Sequence, residues 1–310
     1  MKERPAQGGL PTLEGVSPSV VSLPGGDWPT ITEFLVERFP AITREVWLDR
    51  MQRGLVADEF GKAVTAERAY QGHMRVYYYR ALPPEVRIPF DEEILFQDEH
   101  LVVADKPHFL PVTPSGHYLQ ETLLVRLKNR LRLPGLSPIH RIDRETAGVV
   151  LFSVQPQERA AYQDLFRQRD VIKHYEAIAP WRADLSFPRV CKSHIVEGLP
   201  FFRQAEVPGV DNSETLIDVM EVSGPLARYS LSPVTGKKHQ LRVHMHALGL
   251  PIVNDRMYPP LDPTPDDDYR YPLQLLAKGI ALDDPFTGER RQFSSKRKLE
   301  LPPAHLPLSL

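Results

Sequence analysis

Residues 136–152 read LSPIHRIDRETAGVVLF. A polar, charge-dense loop runs straight into the short apolar stretch GVVLFS, whose length and β-branched residues suit a buried strand. A loop delivered in this way places Asp143 at the rim of a sheet, beside His140, Arg141 and Arg144. A carboxylate among cations has its pKa lowered and stays ionised at neutral pH. That suits a nucleophile or an electrostatic stabiliser better than a general acid. Charge pattern alone fits a structural ion pair at least as well.

Upstream of this loop, ILFQDEHLVVADKP (94–107) reads as a hairpin turning at Asp98-Glu99-His100, and LQETLLVRLKNRLRL (119–133) as a helix with basic residues between its leucines. Downstream, PQERAAYQDLFRQRD is an amphipathic helix, and KHYEAIA, ETLIDVMEV, ARYSLSPV and QLRVHMHALG read as further strands. LQLLAKGIALDDPFTGERRQF reads as a closing strand that ends in a turn at Thr287-Gly288. Strands outnumber helices and show no regular βαβ rhythm. The expected class is therefore α+β, with a mixed, largely antiparallel sheet flanked by helices over residues 88–300.

Ahead of that domain, residues 1–28 are rich in Pro, Gly and Ser and read as a flexible leader. Residues 29–82 pattern as two helices, ITEFLVERF and TREVWLDRMQRG, followed by short strands. Thr43 is the expected cap of the second helix and Gly54 its terminator. Pro83-Pro84 marks a linker.

The 310 residues suffice for one large domain with a smaller companion, and 42% hydrophobic with 25% charged residues is ordinary for a globular chain. Cys191 is the single cysteine, so no intrachain disulfide can form, in keeping with a reducing compartment. No apolar run approaches the roughly 20 residues of a membrane helix. The first residues lack the compact apolar stretch of a secretory signal. A cytoplasmic location, no membrane association and a monomeric state are the expectations. The formal net charge of −2 does not favour a nucleic-acid partner. Yet bases gather in 126–144, 167–173, 237–246 and 290–298 while acids sit in 91–99 and 262–268, so a neutral sum can hide a basic cleft.

HRIDRETAGVVLF resembles the signature HRLDxxTSGLLLFA of RluA-type RNA pseudouridine synthases, with His140, Arg141, Asp143, Thr146, Gly148 and Leu151 in matching places. Two further matches follow in order. IKHYEAI resembles the family's Lys-x-Tyr strand through Lys173 and Tyr175. SPVTGKKHQLRVHMHALGLPIVNDRMY resembles PxTGRxHQIRxHxxxxGxPIxGDxxY, with Thr235, Gly236, His239, Gln240, Arg242, Asp255 and Tyr258 among the matches. The chain departs from the family at Phe109, where KPxG carries glycine, at Lys237 for arginine, at Asn254 for glycine and at Leu276 for histidine. A weaker likeness links residues 30–80 to the alpha-L RNA-binding module that precedes the catalytic domain in many relatives.

The resemblance implies the pseudouridine synthase fold and three catalytic residues, Asp143 as essential carboxylate, Arg242 as its partner and Tyr175 against the target uracil, with Tyr175 also a candidate for proton transfer. RNA contacts are expected from His140, Arg141, Arg144, Thr146, Lys173, Lys237, Lys238, His239 and Gln240. No cofactor or metal is expected. The implied reaction breaks the bond from ribose C1′ to uracil N1 and rejoins C1′ to C5. Asp143 could attack C1′, add to the base or take a ribose proton. Ribosomal RNA is the first substrate expected, with transfer RNA the alternative. Two rivals come from other classes: a metal-dependent hydrolase using His239, His244 and His246, and a non-catalytic RNA-binding protein. The first lacks a partner motif rich in carboxylates, and the second conflicts with the presence of both Asp143 and Arg242.

Overall fold

A computed structural model describes residues 12–13, 15–80, 85–116, 118–258, 265 and 267–301. The chain forms two compact units. The smaller comprises residues through Val86 with 114–120 and 125–135; the larger holds 87–113, 121–124 and everything from Leu136 onward. Residues 114–120 and 125–135, expected in the larger domain, thus belong to the smaller one.

In the smaller unit, β1 (Ser19–Ser22), α1 (Ile31–Arg38), α2 (Arg44–Gln52), β2 (Val56–Asp58) and β3 (Arg75–Tyr78) follow in order, and the strands form a sheet in the order β1-β3-β2. Both expected helices and the strands at 56–58 and 75–78 are present, while the extended piece expected at 62–64 is a single bridge from Ala63 to Ala57. Thr30 caps α1 by accepting a hydrogen bond from the Glu33 amide, whereas Thr43 holds the cap position of α2 without such a bond. Residues 19–22 are not a leader: they pair antiparallel with β3, and Leu23 beside them is buried with Trp47, Phe34 and Val76. Alternation SVVS is too short to stand out against its Pro/Gly-rich surroundings. The start of the expected leader, residues 1–11, lies outside the described residues.

The larger unit is built on β4 (Glu93–Gln97), β5 (Leu101–Lys106), β6 (Ser137–Pro138), β7 (Ala147–Ser153), β8 (Ile172–Pro180), β9 (Arg189–Glu197), β10 (Gln204–Val207), β11 (Ser213–Ser223), β12 (Leu226–Pro233), β13 (Leu275–Asp283) and β14 (Arg290–Ser294). In the larger unit α4 (Arg159–Gln168) lies between β7 and β8 and α5 (Gln240–Ala247) between β12 and β13, whereas α3 (Leu123–Leu131), ahead of β6 in the chain, lies from residue 125 onward in the smaller unit. The sheet runs β10-β9-β11-β12-β8-β13-β7-β5-β4, with β14 on β13 and β6 on β7. Every pair is antiparallel except β7 with β13, as a mixed, largely antiparallel sheet requires.

That one parallel pair explains a residue of the central motif. Gly148 has φ +116° and faces Ala277, whose carbonyl oxygen would stand 2.2 Å from any Cβ added there. Only glycine supplies both the conformation and the close approach. The loop carrying Asp143 is thereby anchored directly ahead of a fully buried strand.

QLRVHMHA is a helix, not the strand expected. Leu241, Val243 and Met245 imitate period-two alternation, but Gln240 to Met245 are all buried, and a helix enclosed on every side loses its amphipathic signature. Leu241 and Met245 pack into the core with Tyr229, Leu231 and Leu275.

Candidate active site

The loop ahead of β7, the end of α4, the start of β8, the end of β12, the start of β13 and the start of α5 surround a pocket of about 360 Å³ lined by His140, Asp143, Tyr175, Lys173, His239 and Arg242 among others. Among the described residues that line it, Asp143 is the one carboxylate. Its side chain is 25% exposed, and it meets Arg242 Nη1 at 3.4 Å and His239 Nε2 at 3.9 Å. Arg242 itself is 1% exposed. The expected partnership is therefore present, but its geometry differs from the bidentate clamp that a guanidinium can offer. The clamp goes to Asp255, whose two oxygens accept from Arg242 Nε at 2.8 Å and Nη2 at 2.6 Å. Asp255 also accepts from the Met257 and Tyr258 amides at 2.9 and 3.1 Å. Arg242 is thus locked from one side and offers its remaining nitrogen to Asp143. Asp255 was visible in the sequence only as a motif match; its role depends on a contact 13 residues away that spacing does not reveal.

Burial alone would raise the Asp143 pKa, but His239, Arg242 and Lys106 together hold it below the usual carboxylate range. Burial lowers the His239 pKa, so at neutral pH the cation that persists beside Asp143 is Arg242. The cations responsible are not Arg141 and Arg144, the sequence neighbours first expected. Arg141 is exposed at the pocket, while Arg144 donates from Nε to the Phe109 carbonyl at 3.0 Å and ion-pairs with Glu145. Arg144 lies outside the pocket wall. Tyr175 stays protonated, because burial and the Asp143 charge push its phenol far above neutrality. A phenol in that state stacks and donates; it is no base.

Lys106 closes the loop from beneath. Fully buried, it donates to the carbonyls of Pro107, Leu110 and Arg144 at 3.0, 2.7 and 2.9 Å, and burial pulls its pKa down to about 7. Two departures from the family pattern keep the backbone shape that glycine would give: Phe109 has φ +67° and Asn254 φ +62°. Phe109 is held there between Phe90 and Tyr269. Asn tolerates the left-handed region, and its amide donates to the Pro272 carbonyl at 3.0 Å. Leu276, in the place of the family's histidine, is buried and pairs with Ala147.

Several expected RNA contacts have internal partners. His140 accepts from the Leu151 amide at 3.1 Å, stacks on Phe166 at 4.8 Å, and is kept neutral down to about pH 3 by burial. Thr146 is buried, and its amide donates to the Asp143 carbonyl at 3.2 Å. Gln240 uses its whole amide: Oε1 accepts from Thr235 Oγ1 and the Lys237 amide, while Nε2 donates to the Glu214 carbonyl and Thr215 Oγ1. It locks the 235–240 loop. Lys173 donates to the Thr235 carbonyl at 3.0 Å with its pKa drawn down to about 8 by burial. Lys237 and Lys238 are exposed, and Lys237 lines the pocket. In the basic stripe of α3, Lys128 is buried.

His239, His244 and His246 do not gather as metal ligands. His239 turns to Asp143, and His244 to Ser213 and Thr215. Among the described residues Cys191, Glu206 and His244 do bring ligand atoms within 4.8 Å of one another. Both ring nitrogens of His244 already have protein partners, Nδ1 meeting Thr215 Oγ1 at 2.9 Å and Nε2 meeting Ser213 Oγ at 3.0 Å.

No helix among the described residues is long and apolar enough to cross a membrane. A family model described as RNA pseudouridylate synthase matches residues 100–247. The dual-specificity RNA pseudouridine synthase RluA of Haemophilus influenzae is 32% identical over 213 residues, covering 66% of this chain and 92% of that protein. The mitochondrial tRNA pseudouridine(32) synthase of Saccharomyces cerevisiae is 29% identical over 191 residues, 58% of this chain and 39% of its own length. Human RNA Pseudouridylate Synthase Domain Containing 4 superposes with a TM-score of 0.50 at 28% identity, over 67% of this chain and 88% of that one. Human RNA Pseudouridylate Synthase Domain Containing 1 shares the fold with a TM-score of 0.55 at 22% identity, over 70% and 86%. Identity at the level seen with the Haemophilus protein, sustained over nearly all of that relative, settles the affiliation: the chain belongs to the RluA-type RNA pseudouridine synthases, enzymes that isomerise uridine within RNA.

Proposed function

We propose that Asp143 is the catalytic carboxylate and that the enzyme acts on a uridine flipped out of structured RNA, with ribosomal RNA its first substrate. The observation that carries this reading is the partial satisfaction of Asp143: an ionised carboxylate open to a pocket, steadied by one long bond from an arginine that a second aspartate holds in place. Extruding a base costs a few kcal/mol, which stacking and hydrogen bonds in the pocket offset. Tyr175 supplies the ring for stacking and a hydroxyl that can donate to the base edge. Arg141, Lys173, Lys237 and Lys238 supply cations for phosphate at the rim. His140, Thr146 and Gln240 shape the wall, and Arg144 braces the loop from behind.

Asp143 then serves while C1′–N1 breaks. The uracil turns, C1′ bonds to C5, the C5 proton leaves and N1 gains one. As the one carboxylate among the described residues that line the pocket, Asp143 is also the group best placed to receive the C5 proton, since Tyr175 stays protonated. The smaller unit, with its two helices and short strands, is assigned to RNA binding on its likeness to the alpha-L module. The enzyme is taken to work as a monomer in the cytoplasm.

A pseudouridine map of total RNA from cells lacking the protein, rescued with wild type or Asp143→Asn, tests this. A site lost in the knockout and restored only by wild type names the substrate, and transfer RNA in that position would replace ribosomal RNA. A site restored by Asp143→Asn would remove the aspartate from its role.

A further inference from the structure

The hairpin between β9 and β10 ends in the tip GLPFFR, 198–203, and this tip exposes large apolar groups: Leu199 is 92% exposed and Phe201 71%. The turn is closed by hydrogen bonds from the Gly198 amide to the Arg203 carbonyl at 3.1 Å and from the Arg203 amide to the Pro200 carbonyl at 2.8 Å. Phe202 braces Phe201 edge-on, ring centroids 5.6 Å apart. An exposed aromatic on a pre-shaped turn loses little entropy when it binds.

The tip is joined to the catalytic cluster through one side chain. Arg203 lies over the Tyr258 ring at 4.9 Å, and the Gln204 amide donates to the Tyr258 hydroxyl at 2.8 Å. The same hydroxyl meets His239 Nδ1 at 3.0 Å, and Arg242 lies over the same ring at 5.4 Å. His239 faces Asp143, and the exposed Lys237 and Lys238 immediately precede it. Tyr258 thus ties the base of an exposed aromatic tip to the segment that carries Lys237 and Lys238, and aromatic with cationic groups is the combination that takes up unpaired nucleotides by stacking and phosphate contact.

We infer that Phe201, with Leu199, stacks on unpaired bases flanking the target uridine, so that the β9–β10 tip is an RNA-holding element continuous with the pocket. This rests on the proposed action on RNA at Asp143. Charge at the neighbouring rim and continuity with the pocket favour RNA over a second copy of the chain as the occupant.

The test uses full-length enzyme with ribosomal and transfer RNA purified from cells lacking it. Because Phe201 is exposed, Phe201→Ala should fold normally. Its KM for the modified RNA should rise about tenfold, as loss of one stacked base predicts, with kcat within about twofold. Phe201→Trp should restore KM, and its added indole emission should be quenched by RNA. Unchanged KM in Phe201→Ala with no quenching in Phe201→Trp, while wild type still forms pseudouridine, overturns the inference and leaves the catalytic reading standing. A sedimentation change in Phe201→Ala from dimer to monomer, with KM unchanged, gives the tip to a second copy and also overturns it. If wild type forms no pseudouridine, the catalytic reading falls; quenching of Phe201→Trp would then still support the tip as an RNA contact, and its absence would remove both.

Discussion

Two arginines in the larger unit, Arg242 buried and Arg291 partly buried, each stand between two aspartates, and the Arg242 cluster opens to the pocket. Arg291 pairs with Asp98 at 2.5 Å and Asp284 at 2.9 Å. Both carboxylates there are otherwise satisfied, Asp98 by the His100 and Leu101 amides and Asp284 by the Tyr162 hydroxyl and the Phe286 and Thr287 amides. Arg242 repeats the arrangement with Asp255 and Asp143, but Asp143 has only the 3.4 Å contact and the more distant His239. Ion pairing therefore does not mark the site. The proposed role of Asp143 rests on the other difference: it faces a pocket with one long bond from a locked cation, where Asp98 and Asp284 are closed in by amides and a hydroxyl.

The largest effects should come from the arginines. Removing either strands two carboxylates, and Arg242→Ala and Arg291→Ala should each lose roughly 3–5 kcal/mol in urea unfolding. Below its unfolding midpoint Arg291→Ala should still isomerise uridine, whereas Arg242→Ala should not. Equal activity in the two would erase the distinction drawn here. Asp284→Asn should follow, losing roughly 1–3 kcal/mol as the hydrogen bonds and ion pair around a buried carboxylate weaken, with kcat for the folded fraction near wild type.

The surroundings of the two clusters should also separate under acid. His140, His108 and His244 are held by burial at about 3, 4 and 4, below the ordinary histidine value. The unfolded chain therefore binds more protons than the folded one below about pH 6.5, and each histidine removes up to about 1.4 kcal/mol per pH unit as pH falls toward its folded value. His100, near Asp98, has its pKa raised by its hydrogen bond to Glu158; its contribution is present below the unfolded value and lost as pH rises through the folded one. Asp143, lowered in the folded state, loses its contribution only below about pH 4. Hydrogen exchange between pH 8 and 5 should show β7 and α5 losing protection on acidification while the Asp98 turn holds. Uniform loss would contradict the assignment. The smallest expected effect is at the rim: Lys237→Ala should lower the salt dependence of RNA affinity by about one unit of slope without changing kcat.

How much of this was legible in the sequence follows from what is local. The loop–strand junction at Asp143, the β4–β5 hairpin, α4, β8 and β12 announced themselves because their periodicity or turn residues lie within a few positions. Helix α5 did not, since burial all round removed its polar face. Strands β9 and β10 also escaped, being half-exposed and mixed in composition. In the candidate site, Asp143, Tyr175 and Arg242 were singled out through resemblance, and all three line the pocket. What remained hidden is non-local: Asp255 as the clamp on Arg242, and Gln240 as a lock on its own loop through Glu214 and Thr215, 26 and 25 residues away. Polar residues in one motif look alike on paper, whether they face the ligand or hold the loop.

The central claim is that Asp143 is kept under-satisfied for chemistry, and single-turnover assay of purified Asp143→Asn beside its thermal unfolding tests it most directly. The account predicts isomerisation reduced by at least about a thousandfold, as for loss of an essential nucleophile or base, with only a small fall in melting temperature, because the ionised Asp143 is mildly stabilising and Asp255 still holds Arg242 when it is replaced. Retained turnover, or lost turnover accompanied by a large fall in melting temperature, would make Asp143 a structural ion pair like Asp98 and contradict the account.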